Sequence, residues 1–313
     1  MVNAAVIAPG LQVIVRDWLD ANHVLLTCPD ECVLIDTGST ARVERTLSLL
    51  RAPSALGERP LTTIVNTHCH SDHMGGNAAI ARAFRAAICV PLDAAPVIDA
   101  WDTRELLLDY ADQEAERFRH TSTIAAGDTL RLGAIEWQAL AAPGHDMSAL
   151  VFYAPEHRVL VSGDALWENG FGLVEPLDRL DERLAAQRAT LERVATLDIA
   201  CVVPGHGTPF TDARNALERA FERLDAYAAD PLRLARHCLK AFFVFALLGR
   251  ERMATADVPP YFERVPCYRE YNERFFGIAP GTLARQITGE LLRSGAIVER
   301  DGFLLAKPQS LSR

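Results

Sequence analysis

Residues 67–73 read Thr67-His68-Cys69-His70-Ser71-Asp72-His73, which places four metal-ligand side chains within six consecutive positions. The run before it, Leu61-Thr62-Thr63-Ile64-Val65-Asn66, is short, β-branched and apolar and reads as a buried strand. After it, Met74-Gly75-Gly76-Asn77 leads into Ala78 to Phe84, a good helix former. The four ligands therefore sit on a loop between a strand end and a helix start. A rigid sheet can hold side chains there in one geometry and still leave them open to a substrate.

Imidazole and carboxylate suit zinc, iron or manganese, and three His plus one Asp exceed what one catalytic ion takes. The surplus suggests two ions side by side, with further ligands downstream at other strand tips. Three such places follow. Pro143-Gly144-His145-Asp146 comes after the strand-like Ile135 to Leu140, Ser162-Gly163-Asp164 after Arg158 to Val161, and Pro204-Gly205-His206-Gly207 after Ile199 to Val203. A glycine beside each ligand permits a sharp turn and a close backbone approach.

The set H-x-H-x-D-H followed by His, Asp and His on successive strand ends resembles the metallo-β-lactamase superfamily of binuclear metal hydrolases, over about residues 10 to 229. The resemblance implies an αββα sandwich as the fold. It also implies that His68, His70 and His145 bind one metal, that Asp72, His73 and His206 bind the second, and that Asp164 bridges them. Asp72 and Asp164 are the candidate catalytic carboxylates. Two divalent ions are the implied cofactors, zinc first and iron or manganese as alternatives. They would share a hydroxide as nucleophile, since a bound ion brings the pKa of water from about 15.7 towards 7. Asp36-Thr37-Gly38 matches a recurring turn of the family, with Asp36 placed to orient a metal ligand. Read from its residues alone, it is a helix N-terminus capped by Thr37, Ser39 or Thr40.

The chain has 313 residues, 49% of them apolar and 23% charged, ordinary values for a globular protein with room for one large and one smaller unit. Seven cysteines without repeated spacing argue against a disulfide framework and for a reducing compartment. Cys69 alternates with the ligands and reads as buried. Met1 to Gly10 lacks a basic flank and a long apolar core, and the apolar run 241–248 is too short to span a bilayer. A cytoplasmic protein is expected, with no membrane partner.

Along the chain, short strands are expected near 10–17, 23–28 and 32–36, then a helix over 41–50. Residues 93–118 read as an acidic helical insertion, in which Tyr110, Arg117 and His120 stand out but read first as structural. Gly127-Asp128 reads as a hairpin turn. The loop Ala165 to Gly172 is rich in aromatics and glycine, and places Trp167 or Phe171 either against an acyl group or in the core. Helices are expected over 179–197 and 212–229.

Pro231 marks a change of charge. Residues 231–313 carry 13 Lys or Arg against 8 Asp or Glu, whereas the first 230 carry 19 against 33. Three helices near 231–248, 253–264 and 281–293, then a hairpin around Asp301-Gly302, resemble a winged helix. The chain thus divides into a catalytic domain, 1–229, and a mainly helical, winged-helix-like domain, 230–313. The second is expected to wall the active site or to make a homodimer contact through Phe242 to Phe245.

The function that fits is hydrolysis of a small ester, thioester or lactone, as in the glyoxalase II-like and lactonase-like branches. A metal-dependent (ribo)nuclease that uses the C-terminal module to hold nucleic acid is the alternative. The acidic catalytic domain disfavours nucleic acid as a partner, and a small-molecule substrate is expected.

Overall fold

The computed structural model describes residues 7–307. Met1 to Val6, part of the stretch read for a leader, and Pro308 to Arg313, the end of the C-terminal segment, lie outside the described residues.

The short apolar runs pair into two sheets. The first holds β1 (Leu11–Ile14), β2 (His23–Thr27), β3 (Cys32–Ile35), β4 (Thr63–Val65), β5 (Ala87–Pro91) and β6 (Ser122–Ile124), ordered in space as in sequence. β1 to β3 are antiparallel and joined by short connections; β3 to β6 are parallel. Parallel neighbours need a crossover. It is supplied by α1 (Val43–Arg51), by α2 (Ser71–Met74) with α3 (Asn77–Phe84), and by α4 (Ala95–Ala100) with α5 (Leu108–Ala111).

The second sheet holds β7 (Thr129–Leu132), β8 (Ile135–Ala141), β9 (Leu150–Ala154), β10 (Val159–Gly163) and β11 (Cys201–Pro204). Its strands are antiparallel except β10 and β11, which are parallel across α6 (Leu180–Ala195). α7 (Ala213–Ala229) packs beside α6.

Period-two alternation sorts the side chains of the first sheet between two cores. Leu25, Leu34, Ile64 and Ile88 join a core with Leu47 and Leu50 of α1 and Ile80 of α3. Val24, Leu26, Val33, Ile35 and Val65 meet Trp137, Ala139, Phe152, Val159 and Val161 of the second sheet. On that sheet's outer face, Val151, Leu160 and Val202 pack with Leu184 and Leu191 of α6 and Leu224 of α7. The layers are therefore helix, sheet, sheet, helix, the αββα architecture expected.

The C-terminal segment consists of α8 (Pro231–Arg250), β12 (Met253–Ala254), α9 (Val258–Arg264), α10 (Pro266–Tyr271), α11 (Pro280–Ser294), β13 (Ile297–Arg300) and β14 (Phe303–Ala306). Asp301 and Gly302 both take positive φ, 51° and 76°, as a two-residue hairpin loop requires. The segment's apolar residues continue the outer core of the second sheet through Leu239 and Phe243 of α8.

Four expectations change. The acidic stretch 93–118 forms only the short α4 and α5. Asp102 accepts backbone N–H bonds from Arg104 and Glu105, and Trp101, Leu107 and Asp112 take left-handed φ, so a continuous helix is broken three times. Gly127-Asp128 is not a hairpin turn: β6 and β7 lie in different sheets, and the turn carries the chain across the sandwich. None of Thr37, Ser39 and Thr40 caps the following helix, because their hydroxyls donate instead to the His73 carbonyl, to Asp20 and to the Gly75 carbonyl. Phe242 and Phe243, expected at a contact between copies, are buried in the chain's own core.

Trp137, with no exposed surface, fills the space between the sheets. Trp137→Ala is expected to cost about 3–5 kcal/mol of stability, read as a shift of the urea unfolding midpoint; a loss below about 1 kcal/mol would place the weight of the fold elsewhere.

Candidate metal centre

The tips of four strands meet at one end of the sandwich. β4 leads into the loop carrying His68 and His70 and into α2 with Asp72 and His73. His145 follows β8, Asp164 follows β10, and His206 follows β11. β8, β10 and β11 point the same way, since β8 and β10 are each antiparallel to β9 and β11 is parallel to β10. The three ligands of the second sheet thus emerge at the same edge, opposite the β4 loop.

Seven side chains, spread through the chain from His68 to His206, converge there in two groups. His68, His70 and His145 form one; Asp72, His73, Asp164 and His206 form the other, with the ligand atoms of each group within 4.8 Å of one another. Asp164 faces both. One oxygen lies 3.6 Å from His145 Nε2 and 3.8 Å from His206 Nε2, and the other 3.4 Å from His73 Nε2. This close approach needs a bare backbone opposite: a Cβ at Gly205 would stand 2.2 Å from the Asp164 carboxylate. Gly144, at φ 148°, likewise lets the His145 loop press against Gln187.

The scaffold fixes the rings from behind. Asp36, itself in the left-handed region at φ 59°, accepts the Thr67 N–H at 2.9 Å and the Thr67 hydroxyl at 2.7 Å, and lies 2.7 Å from His73 Nδ1. A carboxylate only accepts, so the His73 proton sits on Nδ1 and the Nε2 lone pair is left for a cation. His145 Nδ1 donates to the Leu173 carbonyl at 2.5 Å, with the same result for its Nε2. The Nε2 atoms of His68 and His73 are buried with no hydrogen-bond partner. Orphaned ring nitrogens, aimed into a cluster of carboxylates, are the donor set that divalent zinc, iron or manganese would satisfy.

Electrostatics point the same way. Burial, with His73 and His70 alongside, holds His68 well below the usual imidazole range. Burial and the neighbouring His145 push His70 down to about 4. Burial opposes charge on His73, yet Asp36, Asp164 and Asp72 outweigh it and drive that ring well above its ordinary range. Burial raises Asp164, but His206 and His73 override it and hold the carboxyl well below its usual range. An excess of buried negative charge that retains a proton on His73 would equally retain a cation.

Several contributors carry no signal in the sequence. Trp18 stacks on His206, ring centres 5.0 Å apart and planes 6° apart. Gln187, buried in α6, accepts the His145 N–H and donates to the Ala165 carbonyl, clamping two ligand loops together. Trp167 and Phe171 both border the cleft, and only Phe171 also joins the core. Trp167 donates its indole N–H to Asp164 at 3.1 Å. Cys69 is buried and outside both ligand groups. Arg117 bonds the Asp99 carbonyl and His120 lies beside Asp99, so neither reaches the centre; Tyr110 lines the cleft.

The cluster opens on a cleft of about 1060 Å³. Its walls come from the loop after Asp164, from α5, and from Ala241, Val244, Phe245 and Leu248 on one face of α8. Among the described residues, no helix is long and apolar enough to cross a membrane.

A sequence model described as the metallo-beta-lactamase superfamily matches residues 16–206, more than half of the chain. The hydroxyacylglutathione hydrolase of Idiomarina loihiensis is 30% identical over 143 residues, 46% of this chain and 45% of that protein. An acyl-coenzyme A thioesterase of Gallus gallus, MBLAC2, is 25% identical over 209 residues, covering 61% and 73%. This chain spans about half the length of the first of these relatives. Among solved structures, a metallo-beta-lactamase family protein from Thermus thermophilus is 20% identical with a TM-score of 0.57, covering 96% of this chain and 99% of that one, a likeness of fold.

Asp36→Asn is expected to weaken metal binding by about 10–100-fold, measured by competition with a fluorescent chelator. Unchanged affinity would show that the Asp36–His73 contact does not orient a ligand.

Proposed function

This chain belongs to the metallo-beta-lactamase superfamily, and we propose that it is a metal-dependent hydrolase of small thioesters. The observation that carries the reading is a complete seven-residue ligand cluster at the head of a roomy, largely apolar cleft. The two relatives named as a hydroxyacylglutathione hydrolase and an acyl-coenzyme A thioesterase support the thioester over other small substrates.

In this reading His68, His70 and His145 would hold one ion and Asp72, His73 and His206 the other, with Asp164 within reach of both groups. Two such ions, zinc by preference and iron or manganese as alternatives, supply a nucleophile at neutral pH and polarise the substrate carbonyl. The protein's own part is positional. Asp36 and the Leu173 carbonyl keep protons on the Nδ1 atoms of His73 and His145, so that both Nε2 atoms point into the ligand cluster beside Asp164. Asp72 Oδ2 and His206 Nε2 lie 3.0 Å apart, close enough to hold the same ion, and Asp72 borders the cleft. Asp146, tied by Ser148 and 3.9 Å from His70 Nε2, borders it on the opposite ligand group. Trp18 and Trp167 close around His206 at 5.0 and 5.4 Å and exclude water from that side. The acyl group lies along Phe171 and the α8 face, so that segment 230–313 serves as a wall of the active site. A small molecule enclosed in this way needs no membrane and no nucleic acid.

Purified protein assayed on thioesters, lactones and single-stranded RNA, with and without chelator, tests the reading. Chelator-sensitive thioester cleavage is expected, and His70→Ala and Asp164→Ala should lose bound metal and turnover together. RNA cleavage without thioester cleavage, or full activity in a metal-free variant, would overturn it.

A further inference from the structure

Three buried polar groups with open hydrogen-bonding capacity line the cleft away from the ligand cluster. Tyr110 of α5 is 5% exposed, Tyr271 at the end of α10 has no exposed surface, and neither hydroxyl has a partner. Glu175 accepts the Leu177 N–H through Oε2, but its Oε1 is buried and unpartnered. All three border the same cleft, from three different elements. They also sense one another: Glu175 and Tyr110 both act on the Tyr271 phenol, and burial pushes the Glu175 carboxyl above its usual range while the neighbouring Tyr271 phenol partly offsets this.

A buried polar atom left without a partner bears its full desolvation cost, so a cluster of three facing one cavity indicates a group that enters and satisfies them. The inventory specifies the group. Glu175 Oε1 can only accept, and the two phenols can each donate. An alcohol hydroxyl has one proton to give and two lone pairs to offer, which matches the set. Position follows from the chain. Glu175 is two residues beyond Leu173, whose carbonyl fixes His145, a span of at most about 7 Å. The subsite therefore lies within a small molecule's reach of the ligand cluster in the same cleft. Ala241, Val244, Phe245 and Leu248 give the same cleft an apolar wall at helical spacing.

We propose that Tyr110, Glu175 and Tyr271 form a subsite for a hydroxyl borne part-way along the substrate's acyl chain, which then continues over α8. This rests on the thioester reading above. No bond is made or broken at the subsite; it selects the substrate.

The test pairs turnover with binding. Straight-chain acyl thioesters bearing a hydroxyl at successive carbons from the third to the eighth are compared with unsubstituted ones. In parallel, the matching free acids are titrated calorimetrically. A preference of about tenfold or more for one hydroxyl position is expected in both assays, falling to about threefold or less in Tyr271→Phe and Glu175→Gln. Because the Tyr271 hydroxyl has no partner to lose, Tyr271→Phe should melt no lower than the parent, whereas a structural role for the hydroxyl would lower the melting temperature. If no thioester is cleaved but the hydroxy acid still binds preferentially, the activity fails and the subsite stands. Cleavage without positional preference, equal binding of plain and hydroxylated acids, or no binding of either would overturn the subsite and leave water as its only occupant.

Discussion

Five imidazoles and two carboxylates held together out of water are tolerable only if each is bonded outward to something fixed. Asp36 is the anchor for that arrangement. Its two oxygens bind the backbone and side chain of Thr67, at the start of the ligand loop, and the back of His73 in α2. One carboxylate at the tip of β3 thus sets the path of the whole H-x-H-x-D-H segment and the tautomer of one of its rings. Asp36 adopts φ 59°, an uncommon conformation for a residue with a side chain, and the bonds it makes hold it there.

The rest of the sandwich brings the other three ligands up to that loop. The inter-sheet core around Trp137 and Phe152 fixes the distance between the tip of β4 and the tips of β8, β10 and β11. Gln187 and the close approach at Gly205 then lock the second sheet's loops to one another. Metal coordination tolerates errors of only a few tenths of an ångström, which a packed double sheet can meet and a mobile loop cannot.

The cleft is assembled differently. One wall is the α8 face bearing Val244, Phe245 and Leu248, while Phe243 of the same helix turns into the core and Phe242 packs there and borders the cleft. One apolar run therefore serves two surfaces, packing on one side and the cleft on the other. The broken helical stretch around α5 contributes Tyr110 to the opposite side, and the left-handed turns at Leu107 and Asp112 set where that residue lies.

The candidate ligands were legible in the sequence because four fall in one short segment after a strand and the other three each follow a glycine near a strand end, local features that survive without tertiary information. The αββα layering was legible for a related reason: β-branched runs alternating with helical runs leave few ways to bury both faces of two sheets. Local chemistry also decided the Asp301-Gly302 hairpin. What one dimension hid depends on distance in space. Trp18 and Gln187 sit in stretches with no motif, and reach His206 and His145 only once the sheets stack. Gly127-Asp128 resembled a hairpin turn because the sequence shows two short strands but not that they belong to different sheets. Thr37, Ser39 and Thr40 had capping chemistry, yet tertiary partners offered their hydroxyls better acceptors. Residue type and short-range periodicity were enough to say which side chains can bind metal and which segments form sheets. What holds each ring and which side chains face the cleft were settled by the folded chain alone, since those follow from packing between elements remote in sequence.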